Sequence, residues 1–349
     1  MISRILMPLG ISYYSFKMIS YMADMYRSPQ KELVITEYLS YVTFFPQIIC
    51  GPISRANELN GCLNKRTSEE DVKRGAYLIL QGLFYKAVIA DKLSPYTDSV
   101  FASYDSHAFL SLWMAAFFYS IELYCDFAGY SYIVSGICRL MGINISDNFR
   151  LPYYSASIRE FWTRWHISLS SWLKDYIYIP LGGSRRGKIR RVINIFAVFI
   201  VSGLWHGNTI VYLIWGLWHG VWNVLSPSKI RRKVGRFFGI ILTDIIVMFG
   251  WIAFKIDNLS GLRTFIADMF KPAKLSISLI VEAVMPFTND YASVSMLLAI
   301  MLLVAVLFTL EWRNYRGYKE NITIRAMIYT FAVVFFGVIG QSGFIYANY

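Results

Sequence analysis

The stretch VINIFAVFIVSGLWHGNTIVYLIWGLWHGVWNVLS, residues 192–226, decides the fold class of this chain. It holds two apolar runs, 192–207 and 209–226, without a single Asp, Glu, Lys or Arg. A helix needs about 20 mostly apolar residues to cross the hydrocarbon core of a bilayer. The pattern therefore predicts two membrane-spanning helices joined by a short turn.

The composition of the whole chain agrees with this interpretation. Of its 349 residues, 56% are apolar, 17% are aromatic and 16% are charged, whereas an average soluble domain has roughly 25% charged residues. Such a composition excludes a disordered chain, and it leaves too little charge to cover the surface of a soluble enzyme. We therefore predict an all-α polytopic membrane protein.

Other apolar segments indicate further crossings. Three of them are as clear as the first two: 237–254, 292–311 and 326–346. Four weaker ones are 5–24, 37–52, 75–91 and 108–125. A further segment, 127–142, is apolar but short and contains several glycines. No repeat of 20–50 residues is found, which argues against a solenoid and against an inverted-repeat transporter.

The net charge of +12, from 34 Lys and Arg against 22 Asp and Glu, orients the second half of the chain. Basic clusters at 185–191, 229–236 and 313–325 are separated by even numbers of predicted crossings. The positive-inside rule places all three clusters in the cytosol, with the connection 255–291 and Tyr349 outside. Anionic lipid headgroups, rather than nucleic acid, are then the expected partner of this charge.

Segment 150–190 differs from the apolar runs because charged residues interrupt it. Its apolar residues recur at three- and four-residue spacing, as Trp162, Trp165, Leu169, Trp172 and Tyr176. This spacing predicts an amphipathic helix that lies at the cytosolic interface or re-enters a protein-lined cavity. Pro180 and the pair Gly182–Gly183 are expected to end it.

Histidine is the side chain best suited to exchange protons near neutral pH, and the chain has four. His206 stands near the end of an apolar segment, where an ionisable group is costly and indicates function. The alternative is a packed histidine bonded to a neighbouring carbonyl. Gly203 and Gly207 form a GxxxG pattern beside it, which lets a second backbone approach closely.

The other three histidines leave different alternatives open. His219 repeats the GLWHG string thirteen residues after His206, so on an ideal helix it is rotated by about 220°, and we interpret it as a packing residue. His166 lies on the predicted amphipathic helix, where a structural role and a substrate-facing role are equally supported. His107 lies in a polar loop.

Two acidic residues, Glu122 and Asp126, lie four positions apart on one face of an apolar segment. In lipid they are expected to face a wet cavity or to pair with Arg or His; paired carboxylates for hydrolysis are the alternative. The four cysteines form no CxxC pair, and no recognisable metal motif is present. We therefore expect no metal.

Several strings resemble the membrane-bound O-acyltransferase (MBOAT) superfamily, and within it the alginate O-acetyltransferase (AlgI) and DltB-like branch. They are PLGISYYSFKMISYMADMYR, FFPQIICGPISR, DFAGYS, RLPYYSASIREFWTRWHISLSSWLKDYIYIPLGG, SGLWHG and FIYANY. The resemblance covers nearly all of residues 1–349, as a single membrane domain lacking the N-terminal helices usual in the family. It also departs at Tyr132, where the family usually has Asp.

This resemblance implies a helical bundle, with interfacial or re-entrant helices, around a chamber that crosses the bacterial cytoplasmic (inner) membrane. It implies no bound cofactor, a cytosolic thioester donor such as acetyl-CoA or an acyl carrier, and acceptor hydroxyls on an extracytoplasmic polysaccharide or cell-envelope polymer. An SGNH-type acetyltransferase is the implied partner. His206 would be the catalytic base, and His166 the second important histidine.

Four further residues are expected to contact substrate: Trp165, Trp205, Asp126 and Arg164. Two rival functions remain at this point. One is a transporter or channel that only passes a substrate, and the other is a non-catalytic membrane scaffold for a secreted transferase. Consumption of an acyl thioester distinguishes the enzyme from the transporter.

Overall fold

The computed structural model describes residues 10–28, 33–60, 66–225, 228–272, 276–284 and 292–338. Within these ranges the chain forms helices and turns and no strand, so the predicted all-α class is confirmed. The α-helices are α1 (Ile11–Arg27), α2 (Ile35–Val42), α3 (Ala56–Asn60), α4 (Glu69–Leu83), α5 (Asp91–Ala102), α6 (Phe109–Leu140), α7 (Ile158–Trp162), α8 (Ile167–Leu173), α9 (Gly187–His206), α10 (Ile210–Leu225), α11 (Ser228–Lys255), α12 (Leu259–Met269), α13 (Ile277–Val284), α14 (Ala292–Tyr315) and α15 (Ile322–Phe336).

Short helical turns of other types connect some of these helices. Three are 3-10 turns, at Phe45–Gln47, Tyr104–Ser106 and Pro152–Tyr154. Two are π-helical, and both continue a preceding α-helix without a break: Phe84–Ala90 after α4 and Lys174–Tyr178 after α8.

Three helices of the described residues are long and apolar enough to cross a membrane: Gly187–His206, Gly235–Lys255 and Ser295–Tyr315. The apolar helices Ile210–Leu225 and Ile322–Phe336 are shorter. These five correspond to the five clearest predicted crossings. The ends 5–9 and 339–346 of two predicted crossings, and Tyr349, lie outside the described residues.

Two of the weaker predicted boundaries are corrected. Segment 37–52 is not one spanning helix, because α2 ends at Val42 and Pro46 lies in a 3-10 turn. Segments 108–125 and 127–142, predicted separately, are the single 32-residue helix α6. Gly129 does not break it, since α6 continues through Leu140.

Close contact between α4 and α6 depends on two pairs of glycines. A Cβ on Gly75 would meet the carbonyl oxygen of Gly136 at 2.9 Å, and one on Gly82 would meet that of Gly129 at 2.5 Å. Each pair is separated from the other by seven residues, or about two helical turns. The backbones therefore touch along one stripe, which larger side chains would separate.

The hairpin of α9 and α10 is built in the same way and carries His206. A Cβ on Gly203 would collide with the carbonyl oxygen of Tyr212, and one on Gly216 with that of Phe199. The predicted close approach at the GxxxG pattern is thus confirmed at Gly203. Gly207 instead faces the ring of Tyr212.

Candidate functional site

His206 is the last residue of α9 and is buried among aromatic rings. Its imidazole centroid lies 4.7 Å from that of Trp205, 5.1 Å from that of Trp215 and 4.9 Å from that of Phe254. Water is largely excluded from such a site, so the electrostatic interactions of the imidazole are strengthened.

His166 lies at a break between α7 and α8, and not within one amphipathic helix. The prediction of a continuous helix over this segment is wrong, because His166 has left-handed backbone angles, φ 43° and ψ 55°. The turn has a local cause: the Trp165 N–H still bonds to the Phe161 carbonyl, whereas the Ile167 N–H bonds to the carbonyl of Asn148, outside the helix. The predicted end of the segment is correct, since turns follow from Ile179 to Arg186.

The strained backbone of His166 is held by its surroundings. A left-handed conformation costs a residue with a Cβ roughly 1–2 kcal/mol, and such strain gathers at functional sites. His166 is 2% exposed, and its ring packs edge-on against Phe127 at 4.7 Å. The residue therefore faces neither lipid nor bulk water.

Asn148 is the hydrogen-bond partner of His166, at 3.1 Å between Asn148 Oδ1 and His166 Nδ1. The same oxygen accepts bonds from the backbone N–H and the hydroxyl of Ser168, at 3.3 Å and 2.8 Å. Asn148 Nδ2 donates to Ser131 Oγ at 3.3 Å. On the other side of the ring, His166 Nε2 is buried and has no hydrogen-bond partner among the described residues.

The imidazoles of His166 and His206 are close enough to interact electrostatically. The fold thus brings together the two histidines that the sequence analysis selected, although forty residues separate them. Trp205 contacts His206 directly. Trp165 lies deeper in the aromatic core, 4.8 Å from Trp251 and 5.1 Å from Phe149 between ring centroids.

Arg164 and Asp126 have ionic partners within the protein. Arg164 bonds to Glu160 at 3.0 Å, and Asp126 bonds to Lys86 at 2.6 Å. Lys86 also pairs with Asp91 at 2.8 Å, so the partner of Asp126 is a lysine, and not the arginine or histidine that was expected. Substrate binding stays a prediction for four residues: Trp165, Trp205, Asp126 and Arg164.

Glu160 connects α7 to the start of the apolar part of α11. It accepts bonds from Arg164, from Arg236 at 2.9 Å and from the backbone N–H of Ala156 at 3.0 Å. Burial raises the pKa of Glu160, but the Ala156 N–H and the guanidinium groups of Arg236 and Arg164 outweigh it and hold the pKa below its usual range. This carboxylate therefore stabilises the segment that carries His166.

His219 packs within an aromatic cage and makes no hydrogen bond with the described residues. Its ring lies 5.1 Å from Trp162, 5.0 Å from Trp215 and 5.8 Å from Trp251, and neither ring nitrogen has a partner there. These contacts agree with the packing role predicted for it. His107 lies after a 3-10 turn, within hydrogen-bond distance of Ser103, as expected for a loop residue.

A cleft of about 480 Å³ lies between the α7–α8 segment and the α9–α10 hairpin. Its lining includes the basic side chains Arg159, Lys174 and Arg191, and the inner residues Leu169 and Ser202. Leu169 is three residues from His166, and Ser202 is four residues from His206, so the cleft reaches within one helical turn of both. Neither histidine lines it. Trp162, which belongs to the apolar spacing of segment 150–190, does line it.

Neither Asn148 nor the cleft was apparent from the sequence. Asn148 stands in SDNFR, where a polar residue in a loop gives no functional signal, and its contacts depend on folding. No group of three or more His, Cys, Asp or Glu suited to a metal ion occurs in the described part of the chain.

Residues 3–225 match the model of the MBOAT, membrane-bound O-acyltransferase, family. Since this match covers more than half of the chain, the protein belongs to that family. A "Probable alginate O-acetylase AlgI" of Pseudomonas syringae pv. tomato is 38% identical over 264 residues, which are 74% of this chain and 51% of that protein.

Two other relatives have names that state different activities. A "Peptidoglycan O-acetyltransferase" of Helicobacter pylori is 28% identical over an alignment that covers 99% of this chain and 75% of the relative. A "Teichoic acid D-alanyltransferase" of Streptococcus thermophilus is 31% identical, covering 64% and 58%. The chain spans about half the length of the alginate O-acetylases it matches.

Proposed function

We propose that this protein is a membrane O-acyltransferase that moves acetyl groups from a cytosolic thioester to hydroxyls of an extracytoplasmic polysaccharide or cell-envelope polymer. The observation that carries the proposal is the burial of His166 and His206, each within one helical turn of a residue that lines a cleft with basic side chains. The names of the relatives support acyl transfer to such polymers.

In the proposed reaction His206 acts as the general base. It takes the proton of the acceptor hydroxyl, and the oxygen attacks the thioester carbonyl carbon to form a tetrahedral intermediate. The carbon–sulfur bond then breaks, the acetyl ester is released, and the proton on His206 passes to the leaving thiolate. General-base assistance of this kind contributes roughly 10²–10⁴ in rate. The aromatic rings around His206 exclude water, which would otherwise hydrolyse the thioester.

The cleft is the proposed entry for the donor. Acetyl-CoA and acyl carriers both carry the acyl group on a phosphopantetheine arm, whose phosphate is anionic. Arg159, Lys174 and Arg191 would bind this phosphate, and the narrow arm would extend past Leu169 and Ser202 toward the histidines. Because Arg191 belongs to the predicted cytosolic cluster 185–191, the donor would enter from the cytosol.

The proposed location is the bacterial cytoplasmic membrane, with the acceptor on the opposite side from the donor. The acyl group would reach the polymer directly or through an extracytoplasmic SGNH-type acetyltransferase. No bound cofactor is required for this chemistry, since the thioester supplies the activated acyl group.

The proposed function is tested with the full chain purified into lipid nanodiscs. Release of free thiol from radiolabelled acetyl-CoA or an acetylated carrier protein, and transfer of label to polymer or partner, are measured together. We expect both in the wild type and neither in His206→Ala. A transporter or scaffold would leave the thioester intact in the wild type, and that result would overturn the proposal.

A further inference from the structure

The orientation of the Asn148 amide follows from its neighbours. Oxygen and nitrogen of an amide must be distinguished by their hydrogen-bond partners. The backbone N–H of Ser168 can only donate, and it lies 3.3 Å from Asn148 Oδ1. The atom facing His166 is therefore the carbonyl oxygen, while the amide nitrogen faces Ser131 Oγ.

This orientation determines the tautomer of His166. Because Asn148 Oδ1 is an acceptor, His166 Nδ1 must carry the proton that completes their 3.1 Å hydrogen bond. In a neutral imidazole the other nitrogen then has a lone pair and no proton. That atom, Nε2, is the buried one without a partner among the described residues.

Backbone hydrogen bonds reinforce the contact between the two residues. Besides the side-chain bond, the Ile167 N–H donates to the Asn148 carbonyl and the Arg150 N–H donates to the Arg164 carbonyl, each at 2.9 Å. One of these bonds involves Asn148 itself and both lie within two residues of Asn148 and His166, so the two residues separate only if these bonds break. A fixed partner of this kind sets which ring nitrogen is available for chemistry.

We propose that Asn148 is a positioning residue that makes His166 Nε2 a hydrogen-bond acceptor for a substrate N–H or O–H group. The inference rests on the proposed function, and it restricts what His166 does there. An unprotonated Nε2 cannot donate to the oxyanion of the tetrahedral intermediate. Since the single proton of the attacking hydroxyl goes to His206, the group bound by His166 is a different one: an amide N–H of the phosphopantetheine arm, or a second hydroxyl of the acceptor.

The tautomer is measured by ¹⁵N NMR of the full chain labelled at its four histidines, with His166→Gln used to assign the His166 signals. We expect a protonated Nδ1 and an unprotonated Nε2 in the wild type, and a mixture of tautomers in Asn148→Ala. A protonated Nε2 in active wild-type protein would overturn the inference and leave the proposed function intact. A protein without acyl transfer but with the expected tautomer would overturn the proposed function alone.

Kinetics distinguish positioning from a merely structural role. Asn148→Ala should lower kcat/KM about tenfold, the change that corresponds to about 1.4 kcal/mol, one strong hydrogen bond. Asn144→Ala, an exposed residue of the same loop, is the matched control and should be unaffected. If KM rises for the donor, the bound group is the pantetheine amide; if it rises for the acceptor, it is the second hydroxyl.

The variant Asn148→Asp should change the pH dependence of the rate, an effect that loss of folding does not produce. Aspartate still accepts the proton of Nδ1, so activity should be retained at high pH. Its negative charge favours the imidazolium form of His166, in which Nε2 is protonated and cannot accept. The acid limb of the pH–rate profile should therefore move to higher pH. An unmoved limb in Asn148→Asp, or wild-type kcat/KM in Asn148→Ala, contradicts the inference.

Discussion

His206 and His219 pack against the same indole, that of Trp215, with ring centroids 5.1 Å and 5.0 Å away. Both histidines come from the string GLWHG, yet their other neighbours differ. His206 contacts Trp205 and Phe254 and interacts electrostatically with His166. His219 is enclosed by other tryptophans and has no hydrogen-bond partner among the described residues. The histidines of two identical GLWHG strings therefore lie in different environments.

This difference predicts opposite results for the same substitution at the two histidines. His206→Leu should lower acetyl transfer by roughly 10²–10⁴, the usual worth of a general base. His219→Leu should retain transfer, because leucine has a similar volume and removes a buried polar ring that has no described partner. Acetylation of the polymer in cells, with protein accumulation measured by immunoblot, checks both. Normal acetylation in His206→Leu would refute the assignment of the base.

The left-handed backbone of His166 predicts a difference between two inactive variants. His166→Ala and His166→Gly both remove the imidazole, so both should reduce turnover. Glycine adopts φ 43° without strain, whereas alanine does not, so His166→Gly should be more stable by about 1 kcal/mol. Thermal unfolding in detergent, followed by tryptophan fluorescence, measures the difference. Equal thermal stabilities of His166→Ala and His166→Gly would contradict the left-handed turn at this position. Wild-type turnover in either variant would show that the His166 imidazole is not needed and that His206 acts alone.

The charged side of the cleft predicts a specific defect in donor binding. Arg191→Glu should raise KM for acetyl-CoA about tenfold or more, because it replaces attraction to a phosphate with repulsion, and added salt should weaken the effect. Lys188→Glu changes the same charge on an exposed residue of the same helix and serves as the control. Initial rates at several salt concentrations give KM for both variants. The same KM in both would place the donor elsewhere.

The hydrogen bonds of Glu160 predict a pH-dependent contribution to stability. Since the pKa of Glu160 is held below its usual range, its contribution is present above the unfolded-state pKa of about 4.3 and is lost as the pH falls through the folded-state value. Glu160→Gln should therefore cost about 2 kcal/mol near pH 7 and little once the carboxyl of the wild type is protonated.

Thermal unfolding at neutral and acidic pH measures this effect. The control is Glu69→Gln, which breaks the largely exposed pair of Glu69 with Lys73 and should have almost no effect. A difference between wild type and Glu160→Gln that does not change with pH would mean that the charge of Glu160 is unimportant.

The basic clusters predict the orientation of the chain in the membrane. Single cysteines replacing Arg186, Arg232 and Arg316, in a variant without the four native cysteines, should all react with an impermeant thiol reagent only from the cytosolic side. A cysteine replacing Tyr349 should react from outside. Labelling of positions 186 and 232 from opposite sides would contradict the two-crossing hairpin that carries His206.

Local sequence determined much of the helical framework. The apolar run 237–254 falls within a helix that is long enough to span a membrane, and the run 192–207 extends one residue beyond another such helix, because burial in lipid requires length and hydropathy alone. The prediction of a continuous helix from local sequence was wrong at Pro46 and at His166. Pro46 directs the chain out of a helix that hydropathy alone would continue, and the apolar spacing around His166 is that of a helix although the helix is interrupted.

The sequence by itself determined the membrane class, the family and the two histidines of interest, since these depend on composition and on local strings. Only the tertiary structure decided which groups meet. It brought His166 and His206 within electrostatic range and placed Asn148 against Nδ1 of His166. Contacts of this kind join residues 18 to 40 positions apart, and they depend on how helices pack and on which carbonyl a turning backbone meets, neither of which a local pattern encodes.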